Sequence, residues 1–145
     1  MKIKMPVFYI SGPYSGTTKS VVGRNIKKAS RIAQEIWKLG GVAICPHTNC
    51  AFFEGDYELF LLGDLRLLEL SDAIIMIPGW EKSRGSRVEL ERAKALNLNI
   101  FYWPNDKEKI KSFIKNFLRN NIDYLYVKED NDIWSMYKRY LQKFC

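Results

Sequence analysis

Carboxylates crowd one stretch of this 145-residue sequence: Asp64, Glu69, Asp72, Glu81, Glu89 and Glu91 flank the apolar run Ala73 to Ile77 on both sides. Glu89 falls in the first turns of a helix expected to start at Gly85 or Ser86, just past the carboxyl end of that run, where the helix dipole favours an ionised side chain. A positioned, ionised carboxylate is a nucleophile. Asp64, on the preceding helix, reaches the same cleft if that helix packs beside the strand, and the two groups can then divide nucleophilic and acid/base duties. Carboxylates in a first helical turn also serve as caps and dipole partners, a role open to Glu81 and Glu91 as much as to Glu89. Asp72, where a helix turns into a strand, reads as structural.

Other residues with chemical potential sit in loops. Gly12, Tyr14, Ser15 and Gly16 form a loop after the first strand. A phosphate-binding P-loop needs four residues between its glycines and a Lys directly after the second. Here there are three, and Lys19 comes late, so the glycines read instead as a place where backbone approaches a ligand closely. His47, the single histidine, follows the second strand and could touch a ligand; a solvated or locally bonded imidazole is the competing reading. Cys45 and Cys50 beside it lack a fourth partner for zinc. Trp80 could stack on a ligand or cap the core. The three cysteines fit reduced thiols better than a disulfide framework.

The elements that must position these groups alternate. Val7 to Ser11 reads as a strand, Ser20 as the cap of a helix to Leu39, and Gly40-Gly41 as its stop. Val42 to Cys45 is a second strand, Pro46 to Gly55 a long loop, Tyr57 to Leu70 a helix, Ala73 to Ile77 a third strand, and Ile100 to Trp103 a fourth. Asn105 should cap a helix to Asn120, Tyr124 to Val127 could form a fifth strand, and Asp132 to Phe144 a last helix. Such alternation predicts a doubly wound α/β fold with a parallel sheet of four to five strands and helices on both faces. Ligands then bind at the carboxyl ends of the strands, in the loops after Ser11, Cys45, Ile77 and Trp103.

The net charge of +7 is uneven: residues 1 to 38 hold eight Lys or Arg against Glu35 alone, while residues 39 to 103 hold six basic and nine acidic groups. The basic residues Arg24, Lys27, Lys28, Arg31 and Lys38 recur at helical spacing, as on a solvated face, with an anionic partner or subunit contact as the other reading. The tail beyond Lys107 interleaves aromatics with Lys and Arg, which suggests a single-strand binding surface, but its helical spacing fits packing on the domain or on a second subunit. One domain over 1–145 is expected, with 104–145 a helical extension packed on it. No apolar run reaches the roughly 20 residues of a membrane span, and a soluble cytoplasmic protein is expected.

Three of these patterns, in order, resemble the nucleoside 2-deoxyribosyltransferase superfamily, especially its small phage and prokaryotic members related to deoxynucleoside 5′-monophosphate N-glycosidases. Tyr9-Ile10-Ser11-Gly12-Pro13-Tyr14-Ser15-Gly16 resembles the family's first strand and loop. Asp64-Leu65 with Ser71-Asp72-Ala73 resembles the segment supplying an acid/base Asp, and Ser83 through Ala93 the segment supplying a nucleophilic Glu. The similarity covers roughly residues 6 to 103. It implies that Glu89 attacks C1′ of the sugar, that Asp64 protonates the leaving base, and that Tyr9 holds Glu89 by a hydrogen bond. A covalent glycosyl-Glu89 intermediate would then pass to water or a second base, hydrolysis slightly ahead of transfer, without metal or other cofactor. Gly12, Tyr14, Ser15, His47, Trp80, Ser83, Gly85 and Ser86 are the expected substrate contacts. Ser83 stands where relatives acting on nucleosides tend to carry an acid and those acting on 5′-monophosphates a small hydroxyl residue, with Arg84 or Arg87 able to add charge. Pro13 and Ser15 replace a Ser and Arg found in the nucleotide hydrolases. The resemblance also implies a homo-oligomer. A small nucleoside or nucleotide is the expected partner, with neither membrane nor nucleic acid; the alternatives are a catalytically silent nucleotide-binding module and a nucleic-acid-binding protein.

Overall fold

The computed structural model describes residues 3–51, 53–121 and 131–145. Four parallel strands, β1 (Val7–Ser11), β2 (Val42–Ile44), β3 (Ala73–Met76) and β4 (Asn99–Tyr102), form one sheet in the order β2-β1-β3-β4. The expected doubly wound α/β class is what the chain adopts. The expected fifth strand, Tyr124 to Val127, lies outside the described residues. Consecutive strands leave β1 to opposite sides, so the sheet has a switch point between β1 and β3, the crevice where such folds bind ligands.

Strand alternation divides the core into two layers. Phe8 and Ile10 of β1, with Ala73 and Ile75 of β3, face the helices α1 (Lys19–Leu39), α5 (Lys107–Asn120) and α6 (Asn131–Phe144). Tyr9 of β1, with Ile74 and Met76 of β3, faces α3 (Tyr57–Glu69) and α4 (Arg84–Ala95) through Leu68, Leu90 and Ala93. α1 buries Ala29, Ile32, Ala33 and Ile36, a stripe at three- and four-residue spacing, and leaves Arg24, Lys27, Lys28 and Arg31 exposed on its other side. Its cap is Thr18, whose side chain accepts from Val21 N, rather than Ser20, which lies inside the helix and accepts from Arg24. Further along, Asp106 takes the N-cap position of α5 where Asn105 was expected, but its carboxylate accepts from Tyr102 N at 2.8 Å and makes no capping hydrogen bond to the helix. Asp72 has the structural role expected of it, accepting from Val7 N at 2.7 Å and so tying the start of β3 to that of β1.

The described aromatics of the tail are mostly committed to packing: Phe113, Phe117, Tyr140 and Phe144 lie on the α1 side of the core. Tyr137 Oη donates to Lys4 O at 2.6 Å and Tyr140 Oη to Gly40 O at 2.5 Å. These rings are partly buried, and Tyr137 almost fully, as expected for helices packed on the domain; Tyr124 and Tyr126 are outside the described residues. Among the described residues no helix is long and apolar enough to cross a membrane.

Gly40 closes α1 in the left-handed region, φ 101°, and a side-chain carbon there would lie 2.6 Å from the Phe144 ring. Gly40→Ala is therefore expected to destabilise the protein by about 2–4 kcal/mol, combining left-handed strain with displacement of a packed ring. Gly23, inside α1 with open space around it, is the control: Gly23→Ala should stabilise by roughly 0.5–1 kcal/mol. Urea midpoints of the two variants check both signs.

Candidate active site

β1 projects Tyr9 and Ser11 toward α4, two residues apart and therefore on the same face. Ser83 starts α4 by accepting from Ser86 N, and the helix then buries Ser86, Glu89, Leu90 and Ala93 at three- and four-residue spacing. That spacing sets Glu89 over β1. Tyr9 Oη donates to Glu89 Oε1 at 2.7 Å, and Ser11 Oγ donates to Glu89 Oε2. Glu89 is only 7% exposed, while Tyr9 and Ser11 are fully buried.

Beside this cluster lies a cavity of about 150 Å³ at the carboxyl ends of β1, β2 and β3. Glu89 lines it from α4 and Asp64 from α3, so the two carboxylates share one space. Of the expected substrate contacts, Gly12, Tyr14, Ser15, His47, Ser83, Gly85 and Ser86 line it as well. Trp80 does not: its ring lies against Tyr102, with centroids 6.0 Å apart, and packs on the α3/α4 core layer. The loop after β4 also lines no part of it, contrary to the expectation for Trp103 and the residues that follow. Arg84 is turned to Glu58 at 3.2 Å, Arg87 is exposed, and neither lines the cavity. The charge those arginines were expected to add is thus absent from its walls.

Burial decides the electrostatics. It raises Glu89 to about 7, helped by the Asp64 charge and opposed by the hydrogen bonds from Ser11 and Tyr9. Burial also raises Asp64, to about 6. The expectation that the helix dipole would keep Glu89 readily ionised is corrected here. Glu89 sits in the second turn of α4, beyond the reach of most of the dipole, and desolvation outweighs what remains. With Asp64 raised to about 6 and Glu89 to about 7, the two carboxylates titrate in adjacent steps. Between those values one proton is held, mainly by Glu89 as the weaker acid, so the reacting arrangement, with Glu89 ionised and Asp64 protonated, is the minor of the two singly protonated forms. The phenol of Tyr9 is pushed well above its usual range, by burial first and then by the Glu89 charge, and so stays a hydrogen-bond donor.

His47 is neither solvated nor in a loop. It sits in a short helix, α2 (Pro46–Asn49), is 4% exposed, and its Nε2 lies 3.0 Å from Pro13 O. A carbonyl only accepts, so Nε2 carries the proton; burial lowers the pKa of the ring. Gly12 has a reason other than ligand approach: a side-chain carbon there would meet Ile77 at 2.2 Å. Sequence reasoning missed Ser11, although its two-residue spacing from Tyr9 was available as a signal. It also missed Cys50, Phe53, Tyr57 and Phe60, which wall the cavity from α2, α3 and the segment between them. No group of three His, Cys, Asp or Glu side chains among the described residues is placed to hold a metal ion.

A doubly wound parallel α/β fold with a paired-carboxylate cavity at its switch point is therefore the class of protein this chain forms. Residues 6–102 match the model of a family described as a domain of unknown function, DUF4406, and the chain belongs to that family. A search of curated proteins gives no match. Among solved structures the chain is similar to a 2-deoxyribosyltransferase from the psychrotolerant bacterium Bacillus psychrosaccharolyticus. The two are 18% identical, with a TM-score of 0.52 over 66% of this chain and 70% of that one. At that identity the likeness is one of fold.

Proposed function

We propose that the protein cleaves the N-glycosidic bond of a deoxynucleoside, with Glu89 as nucleophile and Asp64 as general acid and base. The observation that carries this reading is Glu89, held by Tyr9 and Ser11, lining the same cavity as Asp64. A fold shared with a 2-deoxyribosyltransferase supports it. A Glu89 oxygen attacks C1′, and the C1′–N bond breaks with its electron pair going to the base, which takes the proton from Asp64. Water or a second base then attacks C1′ as the Asp64 carboxylate removes its proton, and the ester electrons return to Glu89. Two displacements at C1′ retain configuration.

The uncharged nucleoside is the favoured substrate, because two carboxylates and no Lys or Arg line the described cavity, poor surroundings for a phosphate dianion. The 5′-monophosphate is the second reading, favoured by Ser83, Gly85 and Ser86, which bring the amino end of α4 to the cavity wall. Chromatography of ribo- and deoxynucleosides and their 5′-monophosphates incubated with the protein separates the two. Base release from 2′-deoxynucleosides, faster than from the monophosphates, is the expected result. Ligands that raise the melting temperature without any base release would instead identify a nucleotide-binding module without turnover.

A further inference from the structure

Each oxygen of the Glu89 carboxylate has its own hydroxyl, Tyr9 on Oε1 and Ser11 on Oε2. Neither hydroxyl takes part in the bond-making and bond-breaking steps proposed above. The last torsion of a glutamate is broad and roughly two-fold, so a single bond to one oxygen leaves the carboxylate plane free to turn. A second bond to the other oxygen, from a fully buried side chain on the same strand, fixes that plane.

The charged and titratable surroundings give the second donor a further task. Facing Glu89 in and around the cavity are Tyr9 from β1, Tyr14 from the loop after it, His47 and Cys50 at α2, and Tyr57 and Asp64 from α3. His47 is held toward its neutral form by burial. On α4 itself Arg84 is turned to Glu58 and Arg92 to Glu69, and Arg87 and Glu91 are exposed. Thus, among the described residues, no cation lines the cavity, and hydroxyl donors are what the site offers to an ionised Glu89. A hydroxyl also adapts: it donates to the carboxylate and can accept from the protonated acid, so the cluster stays bonded in both states.

We propose that Ser11 is a positioning residue for Glu89, fixing the carboxylate plane together with Tyr9 and favouring the ionised form that attacks. Its catalytic meaning rests on the reading of Glu89 as nucleophile. Its effect on Glu89 ionisation does not.

The test is a titration of the full chain labelled with ¹³C-carboxyl glutamate, following the Glu89 signal, assigned by its loss in Glu89→Gln. Ser11→Ala removes one oxygen and Ser11→Cys keeps a weak donor of similar size. The Glu89 midpoint is expected to rise by about one to two pH units in Ser11→Ala, the worth of one charge-assisted hydrogen bond, and by less in Ser11→Cys. Where base release is measurable, the upper limb of the kcat profile, set by Glu89 at about 7 against Asp64 at about 6, should move up by the same interval and kcat should fall, while KM stays within about twofold. A Glu89 midpoint in Ser11→Ala that is unchanged or lower overturns the proposal. Wild type that releases no base while the midpoint still moves would overturn the function proposed for the site and leave the assignment of Ser11 standing.

Discussion

Glu89→Gln should abolish base release, lowering kcat by roughly 10⁴-fold or more, the scale of loss when a nucleophile is removed. The same substitution should make the protein more stable above neutral pH. Glu89 has a folded pKa of about 7 against an ordinary value of 4.5. A carboxyl raised in this way favours the folded state most below the unfolded pKa, and that advantage is lost as pH climbs through the folded one. Across about 2.5 pH units the loss approaches roughly 3 kcal/mol. The glutamine amide carries no charge and escapes it. Calorimetric melting at pH 5 and pH 8 should therefore show variant and wild type close together at the lower pH, with the variant several degrees higher at the upper. An active Glu89→Gln enzyme would refute the nucleophile, and a variant less stable than wild type at pH 8 would refute the cost assigned to burying the charge.

Asp64→Asn should cost about 10²- to 10⁴-fold in base release, the usual contribution of a positioned general acid. The loss should depend on the leaving group. An unmodified purine or pyrimidine needs a proton as its bond to C1′ breaks, whereas an N7-methylated purine leaves as a neutral base. With N7-methyl-2′-deoxyguanosine the variant should approach wild type in the first step, measured as a burst of base. The pH profile supplies an independent check. Wild type needs one proton shared between two carboxylates raised to about 6 and about 7, so its activity should peak between those values and fall on both sides. Asp64→Asn removes the acid, and with it one of the two limbs, along with the negative charge that raises Glu89. Its residual activity should rise to a plateau through a single limb set by Glu89, a little below about 7 and thus above the wild-type acid limb. A variant that keeps both limbs would take Asp64 out of the reaction.

Much of this architecture was legible because apolar periodicity reports which face of an element is buried. The runs around Phe8, Ile74 and Phe101 were readable as strands, and the alternating helices implied a parallel sheet. Glu89 and Asp64 could be singled out because chain order put both near one strand end. Other features needed three dimensions. Ser11 is an ordinary strand serine until α4 brings Glu89, 78 positions further along the chain, against it. The protonation of Glu89 depends on how completely the helix is covered, which the local dipole argument could not supply. Trp80 looked ligand-facing because it follows Pro78-Gly79, yet Tyr102 from a distant strand gives its ring a partner inside the protein. Thr18 and Ser20 are chemically equivalent caps, and only the path of the preceding loop selects between them.

Because β1 lies inside the sheet while Glu89 rides on a helix that follows β3, the nucleophile and the hydroxyls that hold it come from opposite sides of the switch in strand order. Neither half of the domain contains a working fragment of the cluster. A nascent chain that has made β1, α1 and β2 carries two hydroxyls with nothing to hold, and a piece beginning at α3 carries two carboxylates with nothing to aim them. Chemistry at this centre would thus begin only when the two halves close on each other, so that turnover itself would report completed assembly of the sheet.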